Sequence, residues 1–145
     1  MEAKEIIFFA DELLDSSPLN QEAWFRTVIG RLYYGVFLQI QEWLIENYNE
    51  EFSTYNGSTH VRVTNCLLFL AEKYNRKEVK ELAERLKNLK CDRVVADYKL
   101  ERMVTRTSVN VAKSKSTKVL ELFSSIQGLA LVLKNDNQDS KEFFV

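Results

Sequence analysis

Residues that form turns, cross-links and metal sites are scarce in this chain. Its 145 residues include one proline, four glycines, two cysteines and one histidine. So few prolines and glycines disfavour short strands joined by tight turns and favour long helices. Cys66 and Cys91 both fall within helical patterns and are expected to be buried, reduced thiols. One histidine and two distant cysteines exclude a closed zinc site, and no glycine-rich phosphate loop occurs, so neither metal nor cofactor is predicted.

An excess of charge of one sign is also absent. Lys and Arg number 20 against 21 Asp and Glu, which gives a net charge of −1. The chain therefore lacks the overall basic excess that is typical of nucleic-acid-binding proteins. Its most apolar segment, Ala23 to Ile45, is interrupted by arginine, glutamine and glutamate, which is typical of a core helix and not of a membrane span. The N-terminus has no signal-peptide pattern, so we expect a cytoplasmic protein that does not contact a membrane.

Apolar residues, which make up 46% of the chain, recur at helical spacing. With Asn20 as the cap of the second helix, the predicted helices cover residues 3–14, 21–47, 59–71, 77–98 and 105–133. Tyr48 to Ser58 is the longest predicted loop. Five helices with short connections predict an all-α, up-and-down four-helix bundle with an additional short N-terminal helix. We expect a single domain over residues 1–133 and a polar, flexible tail over residues 134–145.

One arginine interrupts an apolar stripe on the fourth predicted helix. The stripe consists of Val79, Leu82, Leu86, Leu89, Arg93 and Ala96. A guanidinium is costly to desolvate without a partner, so Arg93 requires an anion. That anion is Asp92, Asp97, a carboxylate on a neighbouring helix, or the phosphate of a ligand. Arg93 and Asp97 are spaced as a structural i,i+4 pair, while Arg93, Asp92 and Asp97 together are the candidate ligand-binding residues.

The only histidine is predicted to lie near Arg93. If the third and fourth helices form an antiparallel hairpin about a turn at residues 74–76, His60 lies about as far before the turn as Cys91 lies after it. His60 would then be within one helical turn, ~5 Å, of Arg93. The same counting places Arg31 toward the opposite end of the bundle. Arg31 and Arg93 are therefore not expected to share an intramolecular site.

Three segments share their order and spacing with a known protein family. Residues 24–37 end in Arg-Leu-Tyr-Tyr-Gly-Val-Phe, residues 58–60 read Ser-Thr-His, and residues 93–98 read Arg-Val-Val-Ala-Asp-Tyr. Over residues 3–126 the chain resembles small HEPN (higher eukaryote and prokaryote nucleotide-binding) proteins. The resemblance implies a HEPN-like bundle, usually a homodimer, that binds nucleotides or RNA. Such proteins are often encoded beside a nucleotidyltransferase partner in toxin–antitoxin or defence systems.

The chain departs from the ribonuclease members of this family. Active HEPN ribonucleases resemble one another in an arginine that holds the phosphate and a histidine, four to six residues later, that moves protons. Here those positions after Arg93 are Asp97, Tyr98 and Lys99, and no arginine stands four to six residues before His60. We therefore do not predict catalysis as the main function. A metal-independent ribonuclease with Arg93, His60 and Tyr98 as its catalytic residues is an alternative.

Two further roles concern tyrosines. In relatives with a nucleotidyltransferase partner, a tyrosine close to the arginine motif is modified, so the resemblance makes Tyr98 a modification candidate. Arg31, Tyr33, Tyr34 and Phe37 on the second helix are predicted to pack or to form a dimer interface. The resemblance thus implies a nucleotide- or RNA-binding protein, or the toxin-like component of a two-gene pair. The alternative outside this class is a non-catalytic structural protein that forms a helical dimer.

Overall fold

The protein is built from helices that end where the sequence supplies polar or turn-forming residues. The structure, a computed structural model, describes residues 1–16 and 21–142, with side chains as far as residue 128. Over these ranges it contains six helices and no strand, so the all-α prediction is confirmed. The helices are α1 (Ala3–Asp15), α2 (Gln21–Asn47), α3 (Asn49–Ser53), α4 (Thr59–Lys73), α5 (Lys77–Tyr98) and α6 (Arg106–Glu142). None of the described helices has the length and apolar content needed to span a membrane.

The helix boundaries differ from the prediction by more than two residues at two places. The predicted loop from Tyr48 to Ser58 contains α3, which is too short to show a periodic pattern and which buries Phe52. The prediction of five helices therefore missed one. α6 continues past Leu133, its predicted end, to Glu142, because no proline or glycine follows Gly128 in this stretch to stop it. The predicted cap Asn20 lies outside the described residues.

α2 and α5 form the centre of the bundle. α2 packs against α1, α5 and α6, and α5 also packs against α4 and α6. α4 and α6 therefore lie on opposite sides of the α2–α5 pair. α2 buries residues around most of its circumference, which is typical of a central helix. Every residue of the stripe predicted on α5 is buried, including Arg93, which is 8% exposed.

The register between α2 and α5 sets the position of the site. Tyr34 of α2 contacts Arg93 of α5, whereas Gly30, one turn earlier on α2, lies against Asp97, one turn later on α5. The two helices therefore run antiparallel. The first half of α2 consequently lies beside the last turns of α5.

The turn between α4 and α5 is closed by a Schellman motif. Asn75 has a positive φ of 52°, a conformation that asparagine tolerates better than most residues. The N–H of Arg76 donates to the carbonyl of Ala71 at 2.9 Å, and that of Asn75 donates to Glu72 at 3.2 Å. These bonds satisfy carbonyls at the end of α4 and fold α5 back along it. The hairpin predicted about residues 74–76 is therefore present.

Gly35 allows α1 to approach α2, and Gly35→Ala is expected to lower the free energy of unfolding by about 1–3 kcal/mol. The added methyl group would lie 2.5 Å from Cδ1 and 3.3 Å from the backbone nitrogen of Ile7. Gly128→Ala is the control, because no described atom outside the nearby backbone of α6 lies within 4 Å of a Cβ at that position. It should stabilise α6 by about 0.5–1 kcal/mol. Urea unfolding followed by circular dichroism measures both, and a neutral Gly35→Ala would contradict the close α1–α2 contact.

Candidate functional site

Arg93 lies in a cluster of tyrosines between α2 and the end of α5. Its Nη2 donates hydrogen bonds to the hydroxyls of Tyr34 at 2.7 Å and Tyr98 at 3.3 Å. Its guanidinium carbon lies 5.0 Å from the ring centre of Tyr34 and 5.2 Å from that of Tyr98. Hydroxyls and aromatic faces thus replace part of the water that a cation loses on burial.

The anion that Arg93 meets is Asp97, one turn later on α5. Nε of Arg93 lies 2.7 Å from Oδ2 of Asp97, but its N–H is not aligned for a hydrogen bond, so the contact acts as an ion pair. Gly30 makes room for this carboxylate, since a Cβ there would lie 3.3 Å from Oδ1. Burial by itself would lower the pKa of Arg93, but Tyr34, Asp97 and Tyr98 outweigh it and raise the pKa. The guanidinium therefore stays charged.

Asp92, a predicted ligand-binding residue, does not face Arg93. Its Oδ2 accepts a hydrogen bond of 2.8 Å from Nζ of Lys115 and so links α5 to α6. Adjacent residues on a helix differ in direction by about 100°, which places Asp92 and Arg93 on different faces of α5. Of the anions that the sequence left open, only Asp97 pairs with Arg93 within the part of the chain that the structure describes.

His60 reaches the same tyrosines from the first turn of α4. Ser58 caps this helix, its Oγ accepting a hydrogen bond of 3.4 Å from the backbone N–H of Val61. Nδ1 of His60 shares a hydrogen bond of 2.7 Å with the Tyr33 hydroxyl, and the imidazole centre lies 5.9 Å from that of Tyr34. His60 and Arg93, which the hairpin predicted to lie on neighbouring turns, therefore both contact the Tyr33–Tyr34 pair.

Acid is expected to destabilise the protein through His60. Burial, with the charges of Lys90 and Arg93, lowers the pKa of His60 from its ordinary value of 6.5. The unfolded chain then binds the proton more readily than the folded one. The contribution of neutral His60 to the free energy of unfolding is therefore intact above pH about 6.5 and is lost as the pH falls below it. His60→Gln removes the titration but keeps a polar partner for Tyr33. Urea unfolding at neutral pH and at pH about 5.5 should show that acid lowers the free energy of unfolding less for His60→Gln than for the wild type. An equal decrease in the two proteins would contradict the assignment of this acid sensitivity to His60.

A groove of about 580 Å³ opens beside His60 between α4 and α5. Its volume lies within the ~300–1,000 Å³ typical of small-molecule sites. Lys87 and Lys90 line it together with His60, Val61 and Val94, and no described carboxylate does. Sequence analysis missed this groove, because its two walls come from different helices and neither wall has a distinctive pattern of its own.

The predicted interface residues divide into buried and accessible ones. Tyr33 and Phe37 are only 1% and 3% exposed, whereas Arg31 is exposed and Tyr34 is half-buried. The guanidinium of Arg31 lies 5.5 Å from the ring centre of Tyr34, on which Arg93 also lies. The prediction that Arg31 and Arg93 are far apart is therefore wrong, because the antiparallel register brings the first half of α2 beside the end of α5.

The two cysteines are both free, but they differ in exposure. Cys66 is buried, which raises the pKa of its thiol to about 12. Cys91 is exposed and lines the α4–α5 groove. The prediction that Cys91 is buried is wrong because it lies two residues from both Leu89 and Arg93, which turn toward the core, and so it points away from that face.

Arg26 is the important residue that sequence analysis missed. Its guanidinium donates hydrogen bonds to the last backbone carbonyls of α5 and the loop after it, those of Val95, Ala96, Lys99 and Arg102. Nη2 also pairs with Glu22 at 3.1 Å. Arg26 thereby caps the turn of α5 that carries Asp97 and Tyr98. Nothing in the pattern of α2 indicates that one of its arginines reaches the end of another helix.

The site thus combines an arginine, a histidine and three tyrosines from three helices, with a cationic groove beside it. Comparisons of this chain with protein-family models, with curated proteins and with solved structures find no match.

Proposed function

We propose that this protein is a cytoplasmic HEPN-like helical bundle that binds nucleotides or RNA. The observation that carries the proposal is the meeting of Arg93 and His60, from different helices, on the Tyr33–Tyr34 pair. A guanidinium and an imidazole are both suited to phosphate oxygens, the first by charge and fork geometry and the second as a hydrogen-bond donor.

The position of Asp97 favours binding over catalysis. Its carboxylate neutralises Arg93, so an approaching phosphate must compete with it. Nη1 of Arg93 makes no hydrogen bond within the described part of the chain and, unlike Nε, is not held against Asp97, so it is the donor we assign to a ligand. A ribonuclease that used Arg93, His60 and Tyr98 would need Asp97 to give up its partner before the phosphate could be held.

The family resemblance extends this proposal to a toxin-like component of a two-gene pair. Tyr98 is 65% exposed, with its hydroxyl 3.3 Å from Nη2 of Arg93, which suits a residue that a nucleotidyltransferase partner would modify. A homodimer would use the accessible face of α2 around Arg31 and Tyr34. Tyr33 and Phe37 would support that face from beneath.

Asp97→Asn tests the proposal directly. Removing the competing charge while keeping the side-chain shape should strengthen binding of a fluorescein-labelled single-stranded RNA roughly tenfold at low salt. Asp92→Asn is the matched control, because it changes the net charge equally on the same helix but faces Lys115. Fluorescence anisotropy measures binding, gel analysis of the same RNA detects cleavage, and circular dichroism verifies folding. Equal effects of both variants, or no RNA or ATP binding by any of the proteins, would overturn the proposal.

A non-catalytic interaction protein is the second candidate. This candidate is favoured because Arg93 already has partners within the chain, an ion pair with Asp97 and hydrogen bonds to Tyr34 and Tyr98. In that case Asp97→Asn would reduce stability without creating any affinity for RNA. The dimer would then be the functional unit, and its mass by light scattering would be the relevant measurement.

A further inference from the structure

The groove between α4 and α5 combines lysines that pair with no carboxylate of the described residues with an apolar wall. We propose that it binds a nucleoside phosphate, free or within single-stranded RNA, with Lys87 and Lys90 contacting the phosphate and Val61 and Val94 contacting the base. This inference rests on the proposed function. It places most of the ligand on the α4 side of His60, where Lys87 and Lys90 add positive charge to that of Arg93, which Asp97 partly neutralises.

The charges of the groove are not compensated from within the described part of the chain. Neither Lys87 nor Lys90 pairs with a described carboxylate. The acidic residues nearest along α5 lie elsewhere, since Glu84 lines the cleft between α5 and α6 and Asp92 pairs with Lys115. An anion that enters the groove therefore meets positive charge without competition from a carboxylate.

A neighbouring groove shows the contrast. The cleft between α5 and α6, about 410 Å³, contains Glu81 and Glu84 as well as Arg85, Lys115 and Lys118. Glu81 pairs with Arg85, so part of that positive charge is already balanced. Of these two clefts, only the α4–α5 groove offers basic groups without acidic ones.

His60 presents one nitrogen to a ligand. Its Nδ1 is engaged by the hydroxyl of Tyr33, which is buried and stacks on Phe37 at 5.8 Å, so the ring is held in place. Burial raises the pKa of Tyr33, which keeps its hydroxyl protonated and able to donate to Nδ1. In that tautomer the hydrogen of the neutral imidazole is on Nε2, which becomes a donor for a phosphate oxygen or a base edge.

The apolar wall determines the class of anion. Val61 is 44% exposed, and Val94 lies across from it on α5. An inorganic anion has no surface to place against such a wall. A nucleotide has both a charged phosphate and a flat base with an apolar face, and base faces bind apolar and aromatic surfaces without a fixed sequence.

Cys91 is a built-in reporter of this groove. It lines the groove and is exposed, whereas the other cysteine, Cys66, is buried. The rate at which a thiol reagent such as DTNB modifies the protein therefore reports on Cys91. UMP or oligo(U) at about ten times its dissociation constant should slow this reaction about tenfold, as expected from site occupancy, and inorganic phosphate should slow it far less. Cys91→Ser provides the unreactive baseline.

Two pairs of lysines on α5 give matched variants. Lys87→Ala/Lys90→Ala removes the proposed phosphate contacts, and Lys77→Ala/Lys80→Ala removes the same charge at the same spacing near the other end of the helix. The first variant should weaken oligo(U) binding roughly tenfold, reduce the protection of Cys91 from about tenfold to about twofold at the same oligo(U) concentration, and reduce the slope of log K against log salt by about 1.4. The Lys77→Ala/Lys80→Ala variant should change the oligo(U) affinity, the protection of Cys91 and the salt slope little.

The outcomes separate this inference from the proposed function. RNA or nucleotide that binds by anisotropy without protecting Cys91, or that binds equally to both lysine variants, would overturn the groove assignment and leave the proposed function intact. Absence of binding to either ligand would overturn both. Protection by UMP alone identifies a free nucleotide as the ligand, protection by oligo(U) alone identifies RNA, and either result supports the groove.

Discussion

Arg93→Ala is expected to lower the free energy of unfolding by about 3 kcal/mol. The substitution leaves the carboxylate of Asp97 and the hydroxyl of Tyr34 without the partner that holds them in the fold. The Asp97 side chain is 31% exposed and regains part of its hydration, which keeps the loss toward the lower end of the range for broken buried pairs. Urea unfolding followed by circular dichroism measures the change.

The pair formed by Arg85 and Glu81 on the same helix is the control. It is also an i,i+4 ion pair, at 2.8 Å, but both side chains are substantially exposed. Arg85→Ala should therefore cost no more than about 0.5 kcal/mol. Arg93→Lys keeps the charge but loses the fork that reaches both tyrosines, so it should fall between the two. If Arg93→Ala and Arg85→Ala lower the free energy of unfolding equally, the burial of Arg93 does not determine its contribution to stability.

Arg26→Ala is expected to lower the free energy of unfolding by about 2–3 kcal/mol, because it removes several charge-assisted hydrogen bonds to backbone carbonyls. The loss should be local as well as global. Without this cap, the last turn of α5 should open more often, and Asp97 and Tyr98 are on that turn. Hydrogen exchange of the amides from residue 95 to residue 99 should therefore accelerate more than exchange in the first half of α5.

Arg102→Ala is the matched control for this experiment. Arg102 contributes its backbone carbonyl to Arg26, and its side chain is exposed, so the variant keeps the hydrogen bond while losing an equal charge. It should change stability by less than about 0.5 kcal/mol. Equal acceleration of exchange along the whole of α5 in Arg26→Ala would show that the arginine stabilises the bundle generally and does not cap this helix.

Helices were predicted correctly from the sequence where a long apolar periodicity was followed by residues that end a helix. The stripe from Val79 to Ala96 predicted which side of α5 is buried, down to Arg93. α3 escaped prediction because a helix as short as Asn49–Ser53 shows no period, and its formation depends on the burial of Phe52 by the rest of the fold. The end of α6 was placed too early because polar composition, unlike proline, does not stop a helix.

The candidate functional site could be predicted from the sequence only in part. Spacing along one helix indicated the Arg93–Asp97 pair, and counting from the turn brought His60 close to it. The register between α2 and α5 cannot be counted in this way, since α3, α4 and two loops separate them. For that reason Arg31 was predicted at the wrong end of the bundle, and Arg26 was not recognised as the residue that caps the end of α5.

The distances along the chain between bonded residues bear on the order of folding. α4 and α5 form a local hairpin, whereas the hydrogen bonds from Arg93 to Tyr34 and from Arg26 to Ala96 join residues 59 and 70 positions apart. Loop-closure entropy opposes such distant contacts, so we expect the hairpin to form before α2 docks on it. During that interval Arg93 keeps its water, and His60 has no Tyr33 to fix its ring. The cationic groove therefore precedes the tyrosine cluster that orients its histidine, and the site is complete only when α2 has docked.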